Sequence, residues 1–346
     1  MHAQRTNGGR VPLSALDLVP RSEGMTPAEA IAASKRYAER LDELGYHRLW
    51  VAEHHNTGTF MSSATALLIA HLGHDTRRIR LGSGGVMLPN HSPLMVAEYY
   101  GTLATLFPDR IDLGLGRAPG TDPMTAAALA RRSAELDDVA GDVAMLSRWL
   151  GAEGDQAVGS VRAVPGAGTG VPLWMLGSST GGAAVAAALG LPFSFASHFA
   201  PAQLGQALDL YRQNFTADAP TAQVDAPYVM AGANVLVAPT QEEAEHLFTT
   251  SQQMAAAIRS GRPQALQPPV EDVTRVVPEE LLQVANQHGV RMVGSPDRVA
   301  EQLQAFVDEY ALDEVITTTY TFDPAMRVRS AELLAGAWGL SPVQDG

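Results

Sequence analysis

Where the apolar run Leu49-Trp50-Val51-Ala52 stops, the chain places Glu53, His54 and His55 in succession. A carboxylate and two imidazoles closing a buried strand can serve proton transfer, metal binding, or nothing more than a capped surface turn. Successive side chains of a strand point to opposite sides, so Trp50, Ala52 and His54 share one side and Val51, Glu53 and His55 the other. The pattern predicts one reactive histidine, His54, with Glu53 or His55 as its support. An imidazole suits this task because its ordinary pKa lies near neutrality. A pair of histidines can equally do no more than bond backbone carbonyls. The zinc-protease pattern, with two histidines four residues apart on a helix, is absent here, and no metal is expected.

A second group of residues suits an anion. Gly177-Ser178-Ser179-Thr180-Gly181-Gly182 lies between a strand-like run and an alanine-rich helix. Free amides and the positive end of the dipole gather at such a helix start, and small residues let a phosphate approach. Gly114-Leu115-Gly116-Arg117 supplies a cation that can grip phosphate oxygens with two bonds. Between these lies Gly82-Ser83-Gly84-Gly85, whose interior glycines mark a strand over which another molecule can pass. The expected ligand has a phosphate at one end and a planar body. Neither a Walker sequence nor a GxGxxG fingerprint after the first strand accompanies these residues.

Strand-like runs must hold these groups. They fall at Leu13–Leu18, Arg48–Ala52, Arg80–Leu88, Ile111–Arg117, Pro172–Leu176, Phe193–Ala196, Val229–Val237 and Glu314–Tyr320. Each is followed by a helical pattern; the first opens with Thr26-Pro27-Ala28-Glu29 and stops at Gly45, and the fourth is read as one long helix from Pro123 to Leu150. Eight such pairs in one series predict an α/β fold, a (β/α)8 TIM barrel, with insertions after the fourth helix (residues 151–171) and near residues 262–290. Residues 1–346 are read as one domain, with 1–11 as a loose leader. In a barrel the strand ends converge on one face. That brings Asn90, His91, His198, Asn234 and Tyr320 towards Glu53, His54, Arg117 and the residue 177–182 turn.

Composition narrows the partners. A net charge of −13 argues against a nucleic-acid groove, which needs a basic footprint. No run is apolar enough to cross a bilayer, so no membrane partner is expected. The absence of cysteine excludes thiolate chemistry and suits the cytoplasm.

The ordered motifs resemble one family, the bacterial luciferase-like flavin monooxygenases. The resemblance rests on Trp50-Val51-Ala52-Glu53-His54-His55, Gly82-Ser83-Gly84-Gly85-Val86-Met87-Leu88-Pro89, Arg110-Ile111-Asp112-Leu113-Gly114-Leu115-Gly116-Arg117, Leu176-Gly177-Ser178-Ser179-Thr180 and Met292-Val293-Gly294-Ser295-Pro296. It implies an enzyme using reduced FMN (FMNH2) from a separate NAD(P)H:flavin reductase and O2. A small organic substrate is then oxygenated through a flavin C4a-(hydro)peroxide. By the same resemblance His54 is the active-site histidine, with Glu53 and His55 beside it. Arg117, Gly177, Ser178, Ser179 and Thr180 hold the flavin phosphate, and Gly84-Gly85 lies beneath the ring with a cis peptide bond. A homodimer is implied as well. Gly116 stands where the light-emitting members carry cysteine, which points away from light emission. Substrate-facing candidates are Met61, Met87, His198, Phe199, Asn234 and Tyr320. The competing readings are a deazaflavin-dependent hydride-transfer enzyme, a metal-dependent barrel hydrolase using Glu53, His54 and His55, and a flavin-binding protein without turnover.

Overall fold

The computed structural model describes residues 9–118, 120–129, 132–152, 157–287 and 289–341. Its strands are β1 (Leu13–Asp17), β2 (Arg48–Val51), β3 (Arg80–Ser83), β4 (Val86–Met87), β5 (Ile111–Gly116), β6 (Leu173–Gly177), β7 (Phe193–Phe195), β8 (Val229–Val237), β9 (Arg291–Gly294) and β10 (Glu314–Thr318). All pair in parallel, in the order β10-β1-β2-β3-β5-β6-β7-β8, and β8 returns to β10 to close a barrel. The expected (β/α)8 TIM barrel is therefore the fold, and its strands alternate faces as a closed sheet demands. In β1 Leu13 and Ala15 pack outward on the helices, while Leu16 joins Trp50, Trp174, Met230 and Ile316 inside the barrel.

Helices cover the outside: α1 (Pro27–Leu44), α2 (Thr65–Gly73), α3 (Pro93–Leu106), α4 (Pro123–Ala128), α5 (Leu136–Leu150), α6 (Thr180–Leu189), α7 (Leu204–Asn214), α8 (Gln241–Arg259), α9 (Glu279–Gln287), α10 (Pro296–Tyr310) and α11 (Pro324–Trp338). Their ends follow local chemistry. Thr26 and Glu29 form a reciprocal capping box at α1, and Gly45 ends that helix in the left-handed conformation at φ 83°. None of the described helices is long and apolar enough to cross a membrane.

Three elements differ from the sequence reading. The third strand is not continuous: a cis peptide at Gly84–Gly85 separates β3 from β4, and both pair with β5. The long fourth helix is two. Between α4 and α5 the Arg132 amide donates to the Pro89 carbonyl at 2.8 Å and its guanidinium grips Asp142 with two bonds, which ties this stretch to the end of β4 instead of letting it coil. Residues 291–294 form a ninth strand position, β9, which extends the far half of β8 through Asn234↔Arg291.

The two insertions separate in role. Residues 157–171 pack outside, with Gly166 against Gly101 of α3 and the Trp149 indole donating to the Val161 carbonyl at 3.1 Å. The 262–290 segment crosses the barrel mouth instead. Its Leu266 is buried and pairs by backbone with Arg21 and Glu23, and Thr59 donates to the Gln264 carbonyl at 2.7 Å. Of the supposed leader, residues 1–8 lie outside the described residues. Val11 is buried with its carbonyl taking the Trp338 indole at 2.9 Å, and Arg10 stacks on that ring.

Candidate active site

The barrel is plugged at one end by charge. At the strands' N-terminal ends Arg48 bonds Asp112 at 2.6 Å and Glu314 at 2.7 Å, all three almost wholly buried. Arg80 reaches the same Asp112 at 2.6 Å, Ser14 donates to Glu314, and the Tyr228 hydroxyl donates to Glu314 at 3.0 Å. Burial opposes the charge on Asp112, but Arg48 and Arg80 hold its carboxyl below the usual range. Above this floor lie Trp50 and Trp174, edge to face with centroids 5.2 Å apart. Above them the barrel opens into a cavity of about 860 Å³ at the strands' C-terminal ends.

The cavity gathers most of the residues singled out by sequence. His54, Gly84, Gly85, Met87, Arg117, Gly177, Ser178, Ser179, His198, Phe199, Asn234 and Tyr320 line it. The alternation argument holds: Trp50, Ala52 and His54 face inward. His54 packs its ring against Phe60 at 5.4 Å. Burial pushes its pKa below the ordinary imidazole value, against the Gly120 backbone and the Glu53 charge, which pull it up.

Glu53 and His55 do not line the cavity. Glu53 is buried on the other side of β2's end, where its oxygens accept from His55 Nε2 at 2.8 Å, His91 Nε2 at 2.9 Å, Asn90 Nδ2 at 3.2 Å and the Met87 amide at 3.0 Å. Burial works to raise its pKa, but the bonds from His91, His55 and Met87 hold it below the usual value. Glu53 is thus a clamp on β4 and on two imidazoles, and it acts on His54 only through its charge. Because His54 points away from Glu53 and His55, the three do not converge on one metal position. Among the described residues no group of three or more such ligands is placed to hold an ion.

Arg117, Gly177, Ser178 and Ser179 are brought together on the cavity wall, and Thr180 is not. Ser179 occupies the N-cap of α6 with its hydroxyl making no cap bond. The Arg117 guanidinium lies over this first turn, 3.5 Å from where a side chain on Gly181 would begin, and also reaches the Ala134 carbonyl at 3.3 Å. The first turn of a helix offers free amides and the positive end of its dipole to an anion. An uncapped hydroxyl and bare glycines at that point fit a phosphate. Thr180 lies just outside the cavity lining, and its amide is taken by Gln203 at 3.3 Å.

Substrate candidates divide. Met87, His198, Phe199 and Tyr320 face the cavity, and burial pulls the His198 pKa down to about 4, with the His54 charge adding to it. Asn234 lines the wall but spends its amide on structure: it donates to the His198 and Val290 carbonyls and accepts from Thr318 at 2.9 Å. Met61 does not line the cavity; it packs on the outer core. Sequence reading missed one whole wall, where Phe248, Gln252, Met254, Ile258 and Arg259 of α8 and Asn286 of α9 face the cavity. Their helical spacing gave no sign that this face looks into a site instead of a core.

A closed parallel barrel with a deep cavity at the C-terminal ends of its strands, lined by an imidazole, two glycines and an arginine beside a helix start, has the layout of a barrel enzyme. Residues 14–313 match the luciferase-like monooxygenase family, and the chain belongs to it. It is 45% identical over 325 residues to a luciferase-like monooxygenase of Escherichia coli K12, covering 93% of this chain and 96% of the relative. The crystal structure of apo-MsnO8 superposes with a TM-score of 0.84 at 34% identity, covering 96% of this chain and 99% of that one. The FMN-bound oxygenating constituent of 3,6-diketocamphane monooxygenase from Pseudomonas putida shares the fold at 16% identity, with a TM-score of 0.66 and coverage of 95% and 98%. The protein is therefore a monooxygenase of luciferase-like type, with the barrel that the sequence motifs imply.

Proposed function

We propose that the cofactor is reduced FMN, delivered by a separate NAD(P)H:flavin reductase, and that the enzyme uses it with O2 to oxygenate a small organic molecule. The observation that carries this is the convergence of His54, Gly84–Gly85 and the Arg117–α6 cradle on one cavity. The FMN held by the diketocamphane oxygenase on the same fold supports the choice. Arg117, Ser178 and Ser179 hold the phosphate, while Gly84 and Gly85 give the ring a floor without side chains. Trp50, Phe60 and Tyr320 keep water from the reacting end. Reduced FMN, once bound, supplies the electrons that activate O2. His54, the imidazole on the cavity wall, moves or holds the proton that the reaction requires. Glu53 and His55 fix the end of β2 from behind and touch neither substrate nor flavin.

The test is a titration of the purified protein with FMN and FMNH2, followed by O2 uptake with a flavin reductase and candidate substrates. His54→Ala should abolish oxygenation and leave FMN affinity intact. Arg117→Ala should weaken FMN binding roughly 10-fold or more, since a hydrogen bond to a charged group contributes about 1.5–3 kcal/mol. Turnover without O2 uptake would identify a deazaflavin hydride-transfer enzyme instead, and stoichiometric zinc without flavin affinity would overturn the reading altogether. We also propose a homodimer. The exposed apolar residues Leu67 on α2 and Met95, Tyr99 and Leu106 on α3 offer the surface for it.

A further inference from the structure

Acidic residues outnumber basic ones by 37 to 24 in this chain, yet among the described residues the cavity lining contains no aspartate or glutamate. Its charged side chains are Arg117, Arg259 and Arg291, joined by the imidazoles of His54 and His198. Arg117 belongs to the phosphate cradle at the end of β5. Arg259 and Arg291 come from α8 and β9, beside β8 and three barrel strands further round. One phosphate therefore does not account for all three cations.

Neither of the two outer arginines has a carboxylate partner among the described residues. Arg259 stands in the last turn of α8, and Arg291 opens β9. Arg291 donates to Asn286 Oδ1 at 2.5 Å, an oxygen that also accepts from Gln252 at 3.0 Å. This neutral bridge between α8, α9 and β9 orients the Arg291 guanidinium without neutralising it, and both arginines are exposed at the mouth. Cations with no counter-ion among the described residues, at the edge of a largely apolar cavity, raise the local concentration of anions there. Next to them Phe248, Met254, Ile258 and Phe199 form an apolar wall, and Ile258 and Phe199 are exposed at the mouth.

We propose that Arg259 and Arg291 form an anion subsite at the mouth, which takes the carboxylate of an organic acid whose apolar part lies along the α8 wall. The inference rests on the flavin reading above, because the acid's other end is then the part presented to the flavin and His54. It names the substrate class as an apolar carboxylate. Planar guanidinium groups match a carboxylate with paired bonds, which also makes the arginines, not the apolar wall, the source of the preference for acid over amide.

The experiment is calorimetric titration of the intact, FMN-saturated protein with 4-phenylbutyrate and, separately, with 4-phenylbutanamide. The acid should bind at least about 10-fold more tightly than the amide, a difference of about 1.4 kcal/mol. In the Arg259→Gln/Arg291→Gln double variant that preference should collapse to within about 2-fold, and the Arg259→Lys/Arg291→Lys variant should keep part of it. FMN affinity should be the same in all three proteins. Equal binding of acid and amide by the native protein, no measurable binding of the acid, or a preference that survives the double variant would each overturn the subsite. A loss of FMN affinity in the double variant would also overturn it, by giving these arginines to the cofactor. Failure of FMN to bind the native protein is read in the flavin titration and strikes the parent reading instead.

Discussion

Burial keeps His54 and His198 neutral where an exposed imidazole would begin to charge. His54 titrates below its ordinary value and His198 at about 4, both chiefly through loss of water. Two consequences have definite signs. Since the neutral form of His54 persists on the acid side of neutrality, the acid limb of kcat/KM should lie below pH 6.5, the ordinary histidine value, and a limb above it would remove His54 from the role. For folding, the unfolded chain takes up a proton at His198 near pH 6.5 while the native protein does not until about 4. Its contribution to stability is then fully present above pH 6.5 and is lost progressively as pH falls towards 4. Urea midpoints measured from pH 7 to 4.5 should fall in the native protein, and His198→Gln should flatten that fall. Glu53 is held below its usual value of 4.5, so its stabilisation is fully present above that value and is lost as pH falls below it, overlapping the acid end of the His198 window. Of these residues the sequence revealed the side chain types and their side of the strand. It did not reveal that Glu53 would turn to His91, because that bond depends on where residues 87–91 fold back.

The glycines of β3 and β5 were legible as unusual but not for the right reason throughout. Gly84 and Gly85 line the cavity, but a β-carbon on Gly84 would stand 2.5 Å from Leu16 Cδ1 and one on Gly85 2.8 Å from the Gly114 carbonyl, so close packing requires glycine there as well. Gly82 admits the neighbouring protein in the same way. A β-carbon there would stand 2.6 Å from the Asp112 carbonyl and 2.9 Å from the Trp50 ring, and one on Gly114 would collide with the Ser83 carbonyl. The strands approach so closely here that only a bare backbone fits between them. Gly82→Ala should therefore destabilise the barrel by about 1–3 kcal/mol, the usual cost of overpacking, read as a lower urea midpoint with unchanged slope. An effect within error would mean that the β3 and β5 backbones can move apart at this point. The split of the fourth helix was invisible for a different reason. The polar residues around Arg132 satisfy helical spacing, and only the distant Pro89 carbonyl and Asp142 decide against it. On the outer face, Leu67→Glu/Leu106→Glu should turn the proposed dimer into a monomer in light scattering, since two buried carboxylates would have no partners there. A monomeric native protein would dismiss that interface.

Across the whole molecule, strand and helix alternation made the barrel readable, because period-two and period-3.6 patterns report local burial directly. What closed the two ends was not readable, since it depends on residues from opposite sides of the ring. The floor joins Ser14, Arg48, Arg80, Asp112, Tyr228 and Glu314, separated by up to 300 residues. Its two cations and two carboxylates balance, so the charge layer costs little in field while it keeps water out of the barrel beneath the cavity. The balance also makes each member hard to remove. Arg48→Leu would leave Glu314 without its cation and Asp112 with Arg80 alone, all in an environment from which water is excluded. The expected loss is about 3–5 kcal/mol, as found when one partner of a buried ion pair is deleted. Arg48→Leu/Glu314→Gln should regain part of it, because the second change removes the stranded charge instead of adding a contact. FMN affinity measured well below the melting temperature should be the same in both variants, since the two tryptophans separate the floor from the cavity. An Arg48→Leu protein as stable as the native one would show that water reaches the floor, and that the barrel is sealed by its aromatic layer alone.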